Sequence, residues 1–122
     1  MKALKFAYFI FSLLLIAVIT NSIILGNIIN TFISLVGEGE ENDMRAAKEE
    51  YEDIYERYKS LELYISLTVN HGDLENIESA FAEIIGAARA EDRDGVITTK
   101  SRLIDYLDHI RRLSGINIDS VF

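Results

Sequence analysis

Cysteine and proline are both missing from this chain of 122 residues. Without cysteine there is no disulfide framework and no thiolate metal site. Its absence identifies no compartment. Without proline nothing blocks a long helix by removing a backbone N–H, and glycine is sparse, with 7 in all. Histidine is scarcer still, at His71 and His109 alone. Charge is absent from a whole region, since no residue from Phe6 to Gly37 carries one.

Within that region, residues 6–25 read FAYFIFSLLLIAVITNSIIL, nearly continuously apolar. About 20 such residues rise ~30 Å as a helix, the thickness of a bilayer's hydrocarbon core. We therefore expect a transmembrane anchor at residues 6–25. Lys2 and Lys5 precede it in a cytoplasmic stub, residues 1–5, because basic flanks stay on the cytoplasmic side. All 20 acidic residues follow the anchor, together with the remaining ten of the 12 basic ones. The bulk beyond it is thus strongly acidic and is expected outside the cytoplasm. So acidic a surface disfavours nucleic acid, whose phosphates need clustered Lys and Arg. It also disfavours lying flat on anionic lipid.

A basic start and an apolar core also describe a cleaved signal peptide. No small-x-small site of the A-x-A kind follows the core, and Thr20 and Ser22 offer only a poor substitute. Apolar residues also continue one-sidedly through Ile28, Ile29, Phe32, Ile33, Leu35 and Val36, with Asn27, Asn30, Thr31 and Ser34 between them. That spacing predicts a retained anchor continuing as an amphipathic helix. A polar break, GEGEEND at 37–43, reads as a hinge or linker. Residues 26–42 form this juxtamembrane segment and linker, and residues 43–122 form the outer domain.

Three helical patterns follow. Met44, Ala47, Tyr51, Ile54, Tyr58, Leu61 and Ile65 alternate by three and four, predicting a helix over about 43–70 capped by Asn42 or Asp43. Leu74, Ile77, Phe81, Ile84 and Ala88 predict a second, over about 74–90, with Asp73 as its cap. Val96, Leu103, Leu107 and Ile110 predict a third, over about 94–113, with Asp94 at its start and Gly115 as its C-cap. Gly72 suits a left-handed helix end at the corner between the first two. The apolar tail INIDSVF is expected to pack back. The fold class is all-α: a transmembrane helix, then an antiparallel three-helix hairpin or bundle. The first outer helix would carry this domain away from the membrane and leave Tyr51, Ile54, Tyr55 and Tyr58 as a contact face. A second copy or another envelope protein would be the partner.

Chemistry is thinly encoded. In the up-down-up arrangement His71 and His109 share the distal pole, where Glu75 and Asp105 would complete a divalent-metal set of imidazoles and carboxylates. No E-x-x-H or H-E-x-x-H spacing fixes such a geometry. Ser66, Ser79, Ser101 and Ser114 lack a glycine elbow, no glycine-rich phosphate loop is present, and no catalytic residue is assigned. The bland reading of the region is helix capping.

Residues 63–122 resemble domain-of-unknown-function family 4363, small bacterial proteins. The resemblance rests on NHGDLENIE at 70–78, LDHI at 107–110 and the closing INIDSVF. It implies a bacterial, membrane-tethered, all-helical protein without an assigned activity, and it places His71 and His109 on motif positions.

Overall fold

The computed structural model describes residues 1–121 and, among them, four helices and no strand. α1 (Lys2–Gly37) is followed by α2 (Met44–Ser66), α3 (His71–Arg89) and α4 (Arg93–Val121). The chain is all-α, and its helices form a bundle with the first one long and apolar. The bundle has one helix more than the spacing of residues 43–122 alone supplies, because the second half of α1 joins it.

That half follows from its pattern. Leu25, Ile29, Phe32 and Val36 recur every three to four residues, and all are buried. They line one face of the helix. α4 packs extensively along both α1 and α3, and α3 along α2, while the α1–α2 seam is looser than these. The exposed apolar stretch of α1 therefore stops short of residue 25, the bound expected for an anchor. Leu25 belongs to the protein core, and exposed apolar side chains run from Leu4 to Ile24. Nor is residue 43–122 a self-contained domain, since its core is completed by α1.

The heptad stripes place the remaining core. On α2, Ala47, Tyr51, Ile54, Tyr58 and Ile65 are buried; on α3, Leu74, Ile77, Phe81, Ile84 and Ala88; on α4, Val96, Leu103, Leu107 and Ile110. The expected contact face is consequently not free. Tyr51, Ile54 and Tyr58 are spent inside the bundle, and Tyr55 is half-buried, its ring 5.2 Å from that of Phe81. Their stripe needs partners, and α3 and α1 both supply them: Phe81 lies 5.5 Å from Tyr58 and Phe32 meets Tyr58 edge-on at 6.0 Å between centroids.

Tyr58 carries a cost into this cluster, because its buried hydroxyl has no hydrogen-bond partner. An unpaired buried hydroxyl costs about 1–3 kcal/mol of desolvation. Tyr58→Phe is thus expected to leave stability unchanged or raise it by about 1 kcal/mol, read as a higher melting temperature. A marked loss would show that the hydroxyl is satisfied after all.

The helix ends depart from the expected caps in a consistent way. Asp43 caps α2, accepting from the N–H groups of Arg45 and Ala46. α3, however, begins three residues earlier than its apolar stripe. Its cap is Asn70, whose side chain accepts from the Gly72 N–H at 2.7 Å, so Asp73 sits in the first turn and Gly72 is helical. At α4 the capping contact comes from Asp92, which accepts from the Gly95 N–H at 3.0 Å, leaving Asp94 in the first turn. Both acids still meet the positive end of the helix dipole. Gly115 is no C-cap, since α4 continues through it to Val121; no proline stands there to stop it. The left-handed backbone falls instead at Glu91, φ 57°. The packing expected of the side chains of INIDSVF lies outside the described residues.

Candidate functional site

α2 runs back toward the apolar half of α1, not away from it. The Tyr64 hydroxyl donates to Asn21 Oδ1, and the Asn21 amide donates to Thr68 Oγ1 at 3.3 Å. At the opposite pole Arg93 on α4 donates to the Glu41 carbonyl at 3.0 Å and to Asn42 Oδ1 at 3.2 Å. The corner before His71 therefore lies at the pole next to the exposed apolar helix, the reverse of the expected distal position. The reason is the continuity of α1 to Gly37. The chain turns at the far pole, so α2 must descend.

The histidines do not converge into a metal set. His71 Nε2 lies 3.0 Å from Glu75 Oε1, one turn further along α3. His109 Nε2 lies 3.9 Å from Asp73 Oδ1, linking α4 to α3. Residues two apart on a helix point to nearly opposite sides, so His71 faces α2 while Asp73 faces α4. Asp105 is exposed and joins neither pair. Among the described residues no three His, Asp or Glu side chains are grouped to hold a metal ion.

His71 and Glu75 instead line an open cleft between α2 and α3, with Lys59, Glu62, Ser66 and Glu78. Glu78 has its pKa raised, first by its hydrogen bond with Glu62, then by burial and the Glu62 charge. Two carboxyls this close favour sharing a proton. A raised carboxyl pKa contributes stability below its unfolded value, about 4.3, and loses it as pH rises through the folded value. Glu78→Gln, which removes the repulsion, is therefore expected to melt higher than the native chain at pH 7. The difference should close toward pH 4, as melting curves of the two reconstituted proteins would show. An equal difference at both pH values would contradict the shared proton.

The connection from α1 to α2 is not a free hinge. Lys100, buried on α4, donates to the Gly39 carbonyl at 2.8 Å and to Glu41 Oε1 at 2.7 Å. That hydrogen bond and the Lys100 charge hold the Glu41 carboxyl below the usual range. Glu40 accepts from the N–H groups of Asn42 and Asp43, which lowers its pKa likewise. Gly39 is buried against Tyr51, and a Cβ there would stand 2.6 Å from Tyr51 Cζ. Only glycine allows the loop to close over the ring.

The largest exposed patch is apolar. Phe6, Phe9, Phe11, Leu14 and Ile16 are each at least 60% exposed, a continuous apolar band of the kind that marks a membrane or protein interface. α1 is long and apolar enough to cross a membrane. Above it, where α1 and α2 pack least closely, Ile28, Phe32, Leu35 and Leu61 line a shallow cleft of about 310 Å³ edged by Arg57 and Ser60. The chain matches no family model, no curated protein and no solved structure.

Proposed function

We propose that this chain is a single-pass membrane protein whose acidic helical head is held rigidly on its own anchor and serves as a structural or interaction module. One observation carries the reading. A single helix is exposed and apolar in its first half and is core in its second. Such a helix leaves no flexible tether between lipid and head. Continuity of α1 through Thr20 and Ser22 also supports retention of the anchor, because an intact helix offers a protease no extended backbone.

The orientation that fits is a cytoplasmic N-terminus with the head outside the cell membrane, favoured by Lys2 and Lys5. The resemblance to family 4363 fits a bacterial envelope. The partner this implies is a second copy or another anchored envelope protein, met in the plane of the membrane.

The cysteine-free sequence makes the topology testable. Ser101 is exposed on α4, and Ser101→Cys in intact cells should react with a membrane-impermeant maleimide. The uncleaved chain should stay with membranes after alkaline extraction. A soluble uncleaved product contradicts the anchor. A Ser101→Cys thiol that stays protected from the maleimide in intact cells contradicts the orientation.

A further inference from the structure

The two poles of the head differ in chemistry. At the pole far from the exposed apolar helix, residues 38–43 and 91–94 are mostly acidic. At the near pole, residues 63–70 read LYISLTVN and contain no charge. Leu63 and Leu67 there are 79% and 78% exposed, the most exposed leucines among the described residues. Four residues apart, they project from one face of the chain at the end of α2.

The height of this corner is set by α1. Tyr64 and Thr68 both bond to Asn21. From Lys5 to Asn21 the helix rises about 24 Å, and from Lys2 about 28 Å, against a hydrocarbon core of about 30 Å. With the lysines reaching the near headgroups, Asn21 arrives at the far boundary of the hydrocarbon, and the corner arrives with it. Asn21 is the amide of the apolar run, and it would be costly in lipid unpartnered. Both of its partners come from the corner. Tyr64 adds an aromatic ring with a polar tip, the chemistry that settles at membrane interfaces.

We propose that the α2–α3 corner, residues 63–70, seats in the interfacial layer of the same bilayer that α1 crosses, with Leu63 and Leu67 entering its acyl boundary. The head then rests on the membrane at two points, the α1 stem and this corner, and is fixed in tilt as well as in height. The acidic pole faces away from the lipid. This rests on the membrane reading above.

The chain contains no tryptophan, so one introduced indole reports its own surroundings. Four single variants would each be reconstituted as the full chain in phosphatidylcholine vesicles with brominated acyl chains. Leu63→Trp and Leu67→Trp probe the corner, and Phe9→Trp probes the stem. Glu49→Trp probes α2 toward the far pole, where Glu49 is exposed. The two corner indoles are expected to emit blue-shifted light and to be quenched by shallow bromines. The indole of Phe9→Trp should be quenched by deep bromines, and that of Glu49→Trp by neither. A quenched stem indole with water-like, unquenched corner indoles would overturn the seat and leave the anchor standing. An unquenched stem indole would overturn the anchor and the seat together.

Discussion

A fragment comprising residues 43–122 is expected not to fold, although it holds three of the four helices. It lacks Leu25, Ile29, Phe32 and Val36, all buried in the intact chain. Burial of one such side chain is worth about 1.5–3 kcal/mol, so four supply roughly 6–12. A small domain's whole stability is about 5–15 kcal/mol. The fragment should show a broad, non-cooperative melt and bind hydrophobic dyes. A fragment starting at Ser22 keeps those residues and discards most of the exposed apolar surface. It should melt cooperatively, as circular dichroism of the two would show. Cooperative melting of the shorter fragment would mean that α1 is a stem and not a bundle helix.

Phe81→Ala is expected to cost about 3–5 kcal/mol, the usual range for a fully buried phenylalanine. Phe81 is completely buried, with Tyr55 at 5.2 Å and Tyr58 at 5.5 Å between ring centroids. Tyr58 in turn meets Phe32 on α1. The deletion would therefore open a cavity between α3 and α2 beneath the two tyrosine rings. Chemical denaturation of the fragment from Ser22 measures the loss. A cost below about 1 kcal/mol would mean that the aromatic cluster is not packed as described.

The helices themselves were legible, and for one reason: with no proline and long three-four spacing, each stripe marks its own buried face. Every position of the α3 stripe is buried, as are Val96, Leu103, Leu107 and Ile110 of α4. What spacing did not reveal was which stripe meets which. The stripe on α1 was visible at Ile29, Phe32 and Val36, but its neighbourhood with the anchor assigned it to the membrane side. Assigning it to the bundle reverses the direction of α2, and that reversal moves the corner before His71 from the distal pole to the pole beside the exposed apolar half of α1. The tyrosine face was lost to the same cause.

The site residues were less legible. His71 opens α3's first turn and His109 reaches that turn from α4, yet helix geometry separates their carboxylate partners. Lys100 does carry a signal in the sequence: it continues the apolar stripe from Val96 to Leu103, where a charge requires a buried partner. Asn21 is equally visible as an amide within the apolar run. Its partners Tyr64 and Thr68 are not, because they lie more than forty residues away along the chain.

On the proposed function α1 is one stiff helix shared between lipid and head. Amide hydrogen exchange of the full chain in vesicles tests this most directly, because on the proposed placement residues 26–36 lie beyond the lipid and owe their protection to the bundle alone. Their amides should open with the same free energy as those around Ile54 and Phe81. Rapid exchange across 26–36, with α2, α3 and α4 still protected, would contradict it.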